Sequence, residues 1–210
     1  MKKNKKATSI IEAIVMILIL LIWILWLFNI YTKSQKLSTS VKYKIQAIEI
    51  AREGIEAMEN IRNTNWLILW ADPKNCWNAL NYDNWCVWDT WTSHDITSWL
   101  YKIYTDSNWR WKLNKSSWLT TKNYKDSNYR NFFRINKDSN WLYTQSWWTA
   151  FKPTFTREID INYNTDTNWD SSKNSNDEKM TVNSIVMWVD SSSTWAHIID
   201  LSTDLTNWKK

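Results

Sequence analysis

The chain begins with a lysine cluster, Lys2, Lys3, Lys5 and Lys6, and then runs almost unbroken in apolar residues from Ile10 to Ile30. That stretch is 21 residues, which at about 1.5 Å per residue gives roughly 32 Å, the thickness of a bilayer core. A cleavable secretory signal carries its small residues after the greasy stretch, whereas Ala7 precedes it here. The pattern predicts a transmembrane helix over about residues 10–30, with the lysines on the cytoplasmic side and the rest of the chain exported.

Beyond the span the period stays helical. Val41, Ile45, Ile48, Ala51, Ile55, Met58 and Ile61 step by three and four and draw one apolar stripe. Lys42, Lys44, Glu49, Arg52, Glu53, Glu56, Glu59 and Arg62 occupy the other faces. Such a stripe suits packing on a β-domain or a lone amphipathic helix, and also a coiled coil of about two to three heptads. Gly54 inside it costs about 1 kcal/mol against alanine. One long helix is expected over residues 8–63, half of it in the membrane.

From about residue 64 to 210 the pattern changes to short alternating runs separated by polar turns. Tyr129–Asn136 and Leu142–Thr144 read as a hairpin turning at Asp138-Ser139-Asn140-Trp141. Phe155–Ile161 reads as a strand, and Val182–Val189 with Ala196–Leu201 as a second hairpin. The expected class is α+β: a long N-terminal helix packed on an exported antiparallel sheet domain of roughly 145 residues, enough for one modest core.

Composition changes this picture in one respect. There are 19 tryptophans and one glycine in 210 residues, where roughly 15 glycines are ordinary. Tryptophan follows asparagine at Trp66, Trp85, Trp109, Trp141, Trp169 and Trp208, and Asp-Ser-Asn-Trp occurs at 106–109 and 138–141. Asn-Gly is the strong hairpin signal, because turn residues at positive φ favour glycine. Many of these tryptophans are therefore expected to stand at glycine positions, as a UGA codon read as glycine in the cell would produce. UGG codons at Trp141 and Trp169 would exclude this. Trp188, within the alternating Val186–Val189 run, reads as genuine, whereas Trp91, Trp147, Trp148, Trp169 and Trp195 sit among turn-forming residues.

Charge changes it less. Lys+Arg 26 against Asp+Glu 21 gives +5; without the four leader lysines the balance is 22 against 21, or +1. Bulk charge supplies no case for nucleic acid. Cys76 and Cys86 are the two cysteines; in an exported domain they are expected to pair, closing a short loop worth about 2–3 kcal/mol.

The run Ala7-Thr8-Ser9-Ile10-Ile11-Glu12-Ala13-Ile14-Val15 resembles the class III leader of type IV pilins and pseudopilins. Ala51–Arg62, ending near Asn65-Trp66, is similar to the same family. The resemblance implies cleavage by a prepilin peptidase between Ala7 and Thr8, and a methylated N-terminus at Thr8. Glu12 would then be fifth in the mature chain. Ala7 stands where glycine is usual and Thr8 where phenylalanine is usual. It further implies that Glu12 meets the α-amine of a neighbouring subunit during filament growth. Within one chain Glu12 lies one turn beyond Thr8 on the same helix face.

No catalytic pattern emerges. Ser93-His94-Asp95 has a triad's letters but adjacent residues rarely converge, and His197 stands alone. No phosphate loop, dinucleotide fingerprint or HExxH occurs. Asn164, Asp166, Asn168 and Asp170 space oxygens like the first half of a calcium loop. Position twelve is Ser175 rather than glutamate, so a solvated turn is the preferred reading, with no cofactor.

The sequence thus predicts a structural, non-enzymatic subunit of a type IV pilus or pseudopilus, partnered by prepilin peptidase, other pilin subunits and the membrane. It passes from the cytoplasmic membrane to an extracytoplasmic filament. The alternative is an uncleaved, signal-anchored surface adhesin. Major subunit, minor tip subunit and secretion pseudopilin all remain open.

Overall fold

The structure, a computed structural model, describes residues 5–70, 76–87, 95–116, 124–137, 143–145, 155–163, 179–189 and 195–206. It divides into two units, Met1–Lys44 and Ile45–Lys210. The first unit consists of helix α1, Lys5–Ile68, up to residue 44. It is long and apolar enough to cross a membrane, and the most apolar stretch is unburied. A helix satisfies every backbone group within its own segment, which lipid demands.

In the second unit the remainder of α1 packs on a five-stranded antiparallel sheet, so the α+β class holds. The strands are β1 Trp99–Thr105, β2 Trp111–Lys115, β5 Phe155–Tyr163, β6 Lys179–Trp188 and β7 His197–Thr206, in the order β2-β1-β5-β6-β7. Helix α2, Ser127–Phe133, and a small ladder, β3 Asn136–Lys137 with β4 Tyr143–Thr144, complete the unit. The β6–β7 hairpin is fully paired from Lys179↔Thr206 to Trp188↔His197.

The buried seam of α1 runs through Ala47, Ile50, Ala51, Gly54, Ala57, Met58 and Ile61. Val41 and Ile45, in the expected stripe, are exposed. The burial maximum is rotated toward the small residues, because these let the helix axis approach the sheet. Met58 and Ile61 meet Tyr101, Ile103, Ile159, Ile161, Met180, Val182 and Leu205 in the main core. The other face of the sheet packs Leu100, Ile185 and Met187 against Tyr129 and Phe133 of α2.

One sequence expectation is corrected here. Residues Ser127–Phe133 form a helix, not a strand. Asp126 caps it, its side chain accepting from the Asn128 amide at 2.9 Å. Tyr129 and Phe133, four apart, then share the buried face with centroids 4.9 Å apart. The ladder that follows begins only at Asn136.

The β1–β2 loop is built on Asp106, whose Oδ1 accepts from the Asn108 and Arg110 amides at 2.8 and 3.0 Å. Trp109 there holds φ 59° and is 75% exposed. A side chain in this left-handed region costs about 1–2 kcal/mol, and glycine escapes that cost. Trp109→Gly is expected to stabilise the protein by about 1 kcal/mol, allowing for glycine's looser unfolded state. The thermal midpoint checks this, and a lower midpoint would contradict it. Trp66, Trp77 and Trp188 are instead buried, where glycine would leave a cavity. Trp141 and Trp169 lie outside the described residues.

Candidate functional site

The family resemblance rests on the N-terminal helix. Backbone helix already includes Ala7 and Thr8, and Glu12 is exposed within it. Around Glu12, Ile10, Ile11, Ile14 and Val15 are 47–65% exposed, and the apolar residues on to Tyr31 stay similarly open. A carboxylate in an apolar segment is costly unless paired or held near the interface. Among the described residues no cation forms an ion pair with it.

The second unit contains polar chemistry that sequence reasoning did not find. Arg157 on β5 is fully buried, and its guanidinium donates to Glu53 Oε2 at 3.0 Å and to the Ile50 carbonyl at 3.2 Å, both on α1. Burial lowers the Arg157 pKa from its ordinary value, and Glu53 opposes that shift. Gln145 is buried beside it. Its Nε2 donates to the Phe133 and Arg157 carbonyls at 2.9 and 2.8 Å, while its Oε1 accepts from the Ile103 amide at 3.2 Å. Strands β1 and β5 pair only from Trp99↔Ile161 to Tyr101↔Ile159. Gln145 fills the place where the two strands part and satisfies backbone groups that pairing would otherwise have used.

On the opposite face Tyr129 donates to Glu158 Oε2 at 2.5 Å. Burial, reinforced by Glu158, raises the tyrosine pKa. Lys102 is buried above the Phe132 ring, and burial, helped by Arg134, lowers its pKa. These groups are held within a packed face and describe no open site.

At the end of α1, Asn65 donates to the Trp77 and Ala79 carbonyls at 3.1 and 2.9 Å and fixes the returning loop. Cys76 and Cys86 in that loop form a disulfide with Cα atoms 5.4 Å apart. Next to it the outer edge of β2 is closed by side chains. The Asn81 amide donates to the Leu113 carbonyl at 3.0 Å and accepts from the Leu113 amide at 2.8 Å, and the Tyr82 hydroxyl donates to the Trp111 carbonyl. Asn81 and Tyr82 both hold positive φ, 56° and 64°.

The calcium-like spacing Asn164, Asp166, Asn168 and Asp170, and His94, lie outside the described residues. Among the described residues no group of three or more His, Cys, Asp or Glu is placed to hold a metal ion. Comparison with protein-family models, curated proteins and solved structures finds no match.

Proposed function

We propose that this chain is a structural subunit of a type IV pilus- or pseudopilus-like filament, cut between Ala7 and Thr8 and assembled through α1. One observation carries the reading: Glu12 sits exposed, with no ion-pairing partner among the described residues, near the start of an uncovered apolar helix that continues into a folded β unit. An α-amine freed at Thr8 of a neighbouring subunit supplies the missing cation, and low dielectric makes that pairing selective for axial registry. Outside the filament the same helix anchors the subunit in the membrane.

Mass spectrometry of the membrane-extracted chain tests the cut; the expected N-terminus is Thr8. A retained leader favours the signal-anchored adhesin instead. Glu12→Ala is expected to insert normally but to fail to enter fibres. Normal fibres from that variant refute the pairing role.

A further inference from the structure

The stretch of α1 just past the span has a charge pattern that filament assembly does not use. Lys33, Lys36, Lys42 and Lys44 are all exposed on the helix, and no acidic residue occurs between Glu12 and Glu49. Within two turns of Lys33 and Lys36 the helix itself therefore offers no carboxylate. Lysine is thus placed at both ends of the span, four before Ile10 and four in residues 31–44. The count alone does not choose an orientation.

Helix rise sorts the second group by height. Measured from Ile30 at about 1.5 Å per residue, Lys33 stands roughly 4.5 Å and Lys36 roughly 9 Å beyond the hydrocarbon edge. Lys42 and Lys44 stand roughly 18 and 21 Å beyond it. A headgroup layer occupies about 5–7 Å on each side, and charge interactions fade over about 8 Å at physiological salt. Lys33 therefore lies within the headgroups and Lys36 within one screening length of them, whereas Lys42 and Lys44 lie beyond. Lys33 and Lys36 are also three residues apart and so neighbours on one helix face.

We propose that Lys33 and Lys36 form a contact site for anionic lipid headgroups on the side of the membrane reached after Ile30. The ammonium groups meet lipid phosphates while the preceding apolar turns are in the acyl region. The site requires only the membrane span, so it stands or falls separately from filament assembly.

The test uses the full chain reconstituted in phosphatidylcholine bilayers with trace spin-labelled lipid. The readout is the ratio of motionally restricted phosphatidylglycerol to restricted phosphatidylcholine. The wild type is expected to prefer phosphatidylglycerol. K33Q/K36Q is expected to lose several-fold of that preference, up to about fivefold per lysine. K42Q/K44Q is expected to lose less than about twofold, since screening removes most of its share. The leader lysines contribute equally in all three proteins. A K33Q/K36Q protein with the wild-type ratio overturns the site, and so does an equal loss in K42Q/K44Q.

Discussion

Glu53→Ala is expected to destabilise the second unit by about 3–5 kcal/mol, whereas Arg157→Met costs far less. Of the two partners only Arg157 is fully enclosed: its side chain is 2% exposed, that of Glu53 34%. Removing the carboxylate leaves a buried guanidinium that, among the described residues, has only the Ile50 carbonyl and the more distant Gln145 Oε1, at 3.5 Å, as acceptors. An uncompensated buried charge is the expensive error. Removing the guanidinium in favour of an apolar side chain of similar length leaves Glu53 free to turn to water. The double variant should therefore recover most of the loss caused by Glu53→Ala. With about 2–4 °C of midpoint shift per kcal/mol for a unit of this size, the single variant should melt at least 6 °C lower. Equal losses for Glu53→Ala and Arg157→Met would show that the pair acts through packing alone.

Gly54→Leu is expected to cost about 3 kcal/mol, at the upper end of overpacking effects. A Cβ at Gly54 would already overlap Ser184 Oγ and lie 2.9 Å from Ile159 Cδ1 and 3.2 Å from Arg157 Cδ. Those atoms belong to β5 and β6, so a larger side chain pushes the helix off the sheet and lengthens the Arg157–Glu53 bond as well. Gly54→Ala should be far milder. The helix gains about 1 kcal/mol of propensity, and the nearest neighbour is a single hydroxyl. Pairing Gly54→Ala with Ser184→Ala removes that hydroxyl and should recover most of the loss, leaving the 2.9 Å approach to Ile159 Cδ1. If Gly54→Leu melts at the wild-type midpoint, the close approach is not a constraint.

Periodicity made the main elements legible. The helical period past the span, the alternation in Phe155–Ile161 and the run Val182–Trp188 appear in α1, β5 and β6. Hydrophobicity found part of the packed face of α1, Ala51, Met58 and Ile61, but included the exposed Val41 and Ile45 and passed over Ala47, Ile50, Gly54 and Ala57. Against a sheet, closeness of approach outweighs the apolar area of any one side chain. Alternation likewise misread Tyr129–Phe133, where Asp126 as a cap was the better signal. The β1–β2 hairpin was marked only by its turn, Asp106-Ser107-Asn108-Trp109. Gln145, Asn65 and Asn81 left no pattern in the sequence. Each works by meeting backbone from elsewhere in the chain, and nothing local distinguishes them from loop residues. The N-terminal motif is the reverse case, plain in sequence yet without a fold-level signature beyond an uncovered helix.

The short run of pairing between β1 and β5 has a mechanical consequence. Three residue pairs, Trp99↔Ile161 to Tyr101↔Ile159, join the β1–β2 hairpin to strands that are themselves paired along nine and ten positions. When the second unit is stretched, the sheet should tear along that narrow join, where Gln145 adds polar links to both strands. The long ribbon of β5, β6 and β7 would stay intact under the same load, and the torn hairpin could re-zip once tension falls.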